Sequence, residues 1–233
     1  INHKLNSAGG VQGDADFTIG APKNVTINKS IGAGDDIIIT GNGNIVTAKG
    51  ANLLSDTNKS GSGGIFIVNN SNTGGSTTPF DGNLDTSTAS TEDIQLIHNG
   101  VSTAKVVVAG NVTTHQGGDI LVWSDGGIDL SGVFMGSDDV SITALGQSAV
   151  IRGPITADVD GPGNGFIAYA APFAQTKLHP TAVLTAPNVL LGFADNPTPL
   201  IQSLLGGWIG TNSIAGVNAT GGAYAKAADK PAV

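Results

Sequence analysis

The side chains best placed to do chemistry are aspartates, which occur as adjacent pairs at Asp35-Asp36 and Asp138-Asp139. Asp35 and Asp36 lie in Gly32-Ala-Gly-Asp-Asp-Ile-Ile-Ile-Thr-Gly-Asn-Gly-Asn44, a degenerate pair of the glycine and aspartate nonapeptides that bind calcium in β-rolls, with Gly34 and Gly43 nine apart. The second copy lacks its aspartate, and one imperfect pair falls short of the oxygen ligands calcium prefers. The alternative reading of Asp35 and Asp36 is a turn feeding the strand Ile37 to Ile39. No cofactor is expected, calcium at Asp35 and Asp36 being the one considered. Catalysis by either pair would need carboxylates converging on one bond from different coils. With one glutamate, Glu92, and one arginine, Arg152, an acidic-sugar site has few partners to draw on. No catalytic residue is assigned, and the chain is not expected to be an enzyme.

His3, His98, His115 and His179 are dispersed without zinc-ligand spacing and read as surface residues. Ser124 and Ser131 lie near Asp125 and Asp129 without the Gly-x-Ser-x-Gly turn that frames a serine nucleophile. Trp123, Trp208, Tyr169 and Tyr224 could stack on sugar rings, with Trp208 and Tyr224 the assigned candidates, whereas Trp123, within an apolar run, reads as core or inter-coil packing. Phe17, Thr18 and Ile19 form a β-prone run near the N-terminus and are the candidate assembly strand.

These residues must be positioned by strands and turns. Thirty-five glycines, ten prolines and the scarcity of Glu and Arg disfavour long helices. A net charge of −8 would repel phosphate backbones, which argues against nucleic acid as a partner. The chain has no cysteine, so disulfide scaffolds and thiolate metal sites are excluded. No run approaches the roughly 20 apolar residues of a membrane helix, and the expectation is a soluble chain, not inserted in a membrane, that begins after a processing site.

Short β-rich runs bounded by Gly, Asn or Asp recur at 17–19, 25–27, 37–40, 45–47, 65–68, 94–97 and 106–108. Asp119-Ile-Leu-Val-Trp123 superposes on Asp139-Val-Ser-Ile-Thr143 at a spacing of twenty; Gly126 then falls on Gly146, Ile128 to Leu130 on Ser148 to Val150, and Asp138 on Asp158. A unit of about twenty residues with two or three strands is the coil of a parallel β-helix. The expected fold is therefore all-β, a β-solenoid over residues 1–195 with a polar loop excursion at 69–93, followed by a C-terminal cap or docking tail at 196–233. A β-sandwich is the alternative. Within the solenoid, period-two alternation predicts Ile120, Val122, Val140 and Ile142 inward and Leu121 and Ser141 outward.

The stretch Gln116-Gly-Gly-Asp-Ile-Leu-Val-Trp-Ser-Asp-Gly-Gly-Ile-Asp-Leu-Ser-Gly132 resembles filamentous-haemagglutinin-type exoproteins of the two-partner secretion pathway, and residues 139–157 resemble a second such phrase. The resemblance covers about a quarter of the chain. It implies a right-handed parallel β-helix, export through an outer-membrane partner and a role as an adhesin or surface fibre. The Asn-Pro-Asn-Leu and Asn-Pro-Asn-Gly motifs of the family's secretion domain are missing, which points to a distal segment or a relative exported by another route.

The expected protein is thus an extracellular bacterial surface protein acting by binding and assembly. Its expected partners are further copies, the remainder of a longer parent chain, and host or matrix glycans. A self-assembling filament subunit and a β-helix polysaccharide lyase or hydrolase are the alternatives.

Overall fold

Alternation of Val, Ile and Leu with polar residues drives one face of each run out of water, and runs this short can share a core only by stacking. A computed structural model describes residues 5–7, 15–71, 77–100, 104–146, 149–160, 163–171, 176–178, 181–193, 209–211 and 217–226. Among these there is no helix, and hence none long and apolar enough to cross a membrane. The strands, numbered in chain order, form three parallel stacks, and the fold is a parallel β-helix.

The first stack holds β2 (Phe17–Ala21), β5 (Ile37–Gly41), β8 (Ile65–Asn69), β11 (Ile94–His98), β14 (Ile120–Ser124), β17 (Val140–Ala144) and β20 (Phe166–Ala171). The second holds β3 (Val25–Ile27), β6 (Ile45–Thr47), β9 (Thr77–Phe80), β12 (Lys105–Val108), β15 (Gly127–Leu130), β18 (Ala149–Ile151) and β21 (Thr176–Leu178). The third holds β1 (Leu5–Ser7), β4 (Ile31–Ala33) and five two-residue strands: β7 (Leu53–Leu54), β10 (Leu84–Asp85), β13 (Val112–Thr113), β16 (Phe134–Met135) and β19 (Ile155–Thr156). The long strand β22 (Leu184–Phe193) joins two stacks, pairing with β19 through Leu184 and Thr185 and with β20 from Asn188 onward. Its register breaks around Pro187, which has no N–H for a regular ladder.

The core is the column of inward residues of the three stacks. Ile120, Val122, Val140 and Ile142 have no exposed surface, and Leu121 and Ser141 face outward, as the alternation predicts. Ile120 pairs with Val140, so the twenty-residue repeat is one turn of the solenoid. The second half of that repeat is one residue longer than expected: Ile128, Asp129 and Leu130 pair with Ala149, Val150 and Ile151. A slip of one would turn Ile151 outward and Val150 inward, so the core sets the register and the added residue goes to the corner.

The excursion at 69–93 is corrected. Residues 69–93 are not one polar excursion, because they contain β9 and β10, and Phe80 and Leu84 are fully buried core residues. Thr and Phe favour the strand, and Pro79 shortens its pairing with β6 to the single pair Thr47 and Phe80. In the C-terminal segment, β24 (Val217–Lys226) docks in parallel on β22, and β23 (Ile209–Thr211) lies antiparallel on β24.

Candidate functional surface

Each corner of the solenoid carries its own hydrogen-bonded column. At the corner before the third stack, Asn83 N–H donates to Asn52 Oδ1 at 3.0 Å and Asn111 N–H to Asn83 Oδ1 at 3.0 Å. Val133 N–H then closes on Asn111 Oδ1 at 3.2 Å. At the corner before the first stack the column is acidic. Asp119 N–H donates to Asp93 Oδ1 at 2.9 Å, Asp139 N–H to Asp119 Oδ1 at 3.0 Å, and Phe166 N–H to Asp139 Oδ1 at 2.9 Å. One coil position earlier, Gly64 N–H donates to Asp36 Oδ1 at 2.7 Å.

The acidic column stacks like charges at the coil repeat. Asp119, Asp138 and Asp139 place carboxylate oxygens within 4.8 Å of one another. Desolvation pushes Asp139 up to about 7, with Asp119, Asp138 and Asp158 raising it further against the Phe166 hydrogen bond. Asp119 is also raised, chiefly by burial. Convergence from two coils, which neighbouring positions in the sequence do not reveal, is achieved because Asp138 and Asp139 lie in a corner before β17 begins. Among the described residues these three form a grouping of at least three side chains that could hold a cation. Asp36 instead ties its coil to Gly64.

The outward face of the first stack mixes apolar and polar residues through its middle coils, with Thr143 buried. Phe66, Gln95, Leu121 and Ser141 form one column and Val68, Ile97, Trp123 and Thr143 the next, in strict register. Trp123 is half-buried and faces outward, in register with Ile97 and Thr143 of the neighbouring coils, which is the inter-coil position of the two expected. Its Nε1–H donates to Asp125 Oδ1 at 3.1 Å, which fixes the ring over the sheet. This face was legible in the sequence as the odd positions left over when Ile94, Leu96, Ile120 and Val122 are turned inward.

Trp208, His3 and His179 lie outside the described residues. Tyr224 lies in β24, paired with Leu190 and Gly210. Phe17, Thr18 and Ile19 lie in β2, which pairs only with β5 among the described residues; Thr18 is exposed and Phe17 and Ile19 are half-buried. His115 is half-buried, with Nε2 3.2 Å from Asp85 Oδ1 on the preceding coil. His98 is corrected: it is wholly buried, because it takes the inward position two beyond Leu96. Ser124 Oγ also faces inward and accepts the Gly126 N–H at 3.1 Å, a structural role.

Comparison with protein-family models, with curated proteins and with solved structures found no match.

Proposed function

We propose that the chain is part of a secreted bacterial surface protein of filamentous-haemagglutinin-like type, acting as an adhesive and structural solenoid. The single observation that carries this reading is the ordered outward face around Trp123, which offers a rigid aromatic platform beside the polar groups of Gln95, Ser141 and Asp125. Sugar rings present apolar faces that stack on such a platform while their hydroxyls reach the polar flank. The ligand class is therefore a host or matrix glycan.

A panel of immobilised neutral and uronic-acid glycans tests it, with wild type and Trp123→Ala compared at equal fold stability. Binding by wild type that weakens at least tenfold in the variant supports the reading. Failure of wild type to bind any glycan, or equal binding by both proteins, overturns it.

A second reading, a filament subunit, is favoured by the single-sided pairing of β2 and the half-buried Phe17 and Ile19 at that end of the core. A glycan-cleaving enzyme is the reading that the Asp119, Asp138 and Asp139 grouping would favour. Release of reducing or unsaturated ends from the same glycans, abolished by Asp139→Asn, would replace adhesion with catalysis.

A further inference from the structure

His98 closes β11 with no exposed surface, and among the described residues neither Nδ1 nor Nε2 has a hydrogen-bond partner. Its neighbours in the stack are Asn69 and Ser124. Both turn toward their own coil: Asn69 Oδ1 accepts the Ser71 N–H at 2.9 Å and Ser124 Oγ the Gly126 N–H. The space around the imidazole is otherwise lined by Ile67, Phe80, Leu96 and Val106. A neutral ring tolerates that enclosure at the cost of two unmade hydrogen bonds; an imidazolium there would be a buried charge with no acceptor among the described residues.

The turn that follows His98 is held from outside the core. Gly100 N–H donates to Asp125 Oδ2 at 3.0 Å, and Asp125 N–H donates back to the His98 carbonyl at 3.0 Å. Gly100 lies close over the ring, where an added β-carbon would come 3.1 Å from Nε2. Asp125, at the corner after β14, is the charged group acting on the imidazole; the β8, β9 and β12 residues lining the space, Ile67, Asn69, Phe80 and Val106, bring none.

We propose that His98 is an acid-sensitive latch: neutral, it seals the fourth coil, and when it takes up a proton it leaves the core and releases the Asn99-Gly100 turn from Asp125. The route out is short, because the strand ends at His98 and Asp125 waits at the corner to receive the charge. Burial lowers the proton affinity of His98, and the Asp125 charge opposes it. The stability its neutral form confers is therefore complete above about pH 6.5 and is lost as pH falls below it. The inference is independent of the adhesive reading.

The test is amide hydrogen exchange on the whole chain at pH 7.5 and pH 5.0, corrected for chemical exchange, in wild type, His98→Leu and His98→Gln. Protection over residues 94–100 and 120–126 should fall at least tenfold on acidification in wild type, with residues 25–47 unchanged. The fall should vanish in either variant. Unchanged wild-type protection, or a fall that persists in a folded variant, overturns the proposal. So does a His98 imidazole that titrates at or above pH 6.5 by nuclear magnetic resonance, a measurement on wild type that stands even if both variants fail to fold.

Discussion

The carboxylate of Asp119 accepts the backbone N–H of Asp139, directly above it on the next coil, at 3.0 Å. The same bond that joins the coils also stacks one carboxylate over another, so the corner is at once a hydrogen-bonded seam and a column of repelling charge. Burial raises Asp139 to about 7, and the neighbouring carboxylates of Asp119, Asp138 and Asp158 add to it, so protonation relieves both. Because the folded pKa lies above the unfolded value, Asp139 favours folding most when protonated. Its penalty builds as pH rises past about 4 and is complete above pH 7.

Asp139→Asn keeps an oxygen for the Phe166 N–H and removes the charge. The variant should be more stable than wild type at pH 8 by about 1 to 2 kcal/mol, after allowance for screening of a half-buried group. At pH 4 the two should differ little. Urea unfolding at both values checks it, and an equal difference at the two would show that charge is not the cause.

Substitutions in one turn of the solenoid test the register. Val122→Asp and Ile142→Asp put an unpaired charge where no surface is exposed and should abolish the folded state. Ser141→Asp, one residue from Ile142 and outward, should shift stability by less than about 1 kcal/mol. Circular dichroism and thermal unfolding of the three proteins give the comparison; equal loss at all three would reject the assignment of faces.

What was legible in the sequence depended on run length. Five-residue strands such as Ile120–Ser124 show their alternation, and the twenty-residue spacing to Val140 gave the coil. The third-stack strands are two residues long, too short for any period. Their signal was instead an Asn followed by an apolar residue, at Asn52-Leu53, Asn83-Leu84 and Asn111-Val112, where the Asn side chain links coils and the next residue enters the core. The acidic grouping was hidden because corners do not obey strand alternation, so Asp138 and Asp139 share a side that two strand neighbours would not. His98, by contrast, lies in phase with Ile94 and Leu96, and its burial follows from the alternation once the strand is extended by one residue.

The Asn column can be tested by breaking one rung. Asn83→Ala removes the acceptor for the Asn111 N–H but leaves it near water, since both residues are exposed. The expected loss is about 0.5 to 1.5 kcal/mol, the net worth of one hydrogen bond. A loss above about 3 kcal/mol in denaturant unfolding would mean that the column acts cooperatively along the solenoid.

Close approach, as opposed to backbone strain, is tested at Gly110. A β-carbon there would overlap the carbonyl oxygen of Gly82 on the coil below, whereas Gly117 has φ +95° and open space around it. Gly110→Ala should therefore cost about 2 kcal/mol or more through displacement of backbone. Gly117→Ala should cost about 1 kcal/mol through its left-handed conformation alone. Thermal unfolding of the pair decides; the reverse order would contradict the coil spacing at that corner.

The last prediction concerns the edge of β2 that pairs with no strand among the described residues. Phe17 N–H donates to Asp36 O at 2.7 Å, and Asn42 N–H donates to Ala21 O at 3.2 Å. In a parallel ladder this fixes the sense of every other group: the N–H groups of Phe17 and Ile19 face β5, and that of Thr18 faces away. Thr18→Pro thus removes a donor from that edge while leaving the β5 ladder intact, and an edge strand tolerates proline there. If β2 pairs with another copy, as the filament reading requires, wild type should show concentration-dependent association by light scattering. Thr18→Pro should remain monomeric with a melting temperature within a few degrees of wild type. Ile19→Pro, which removes a donor to β5, should instead lose stability at that end of the solenoid. Association that is unchanged in Thr18→Pro would place the contact elsewhere, and a wild type that stays monomeric at high concentration would remove the filament reading altogether.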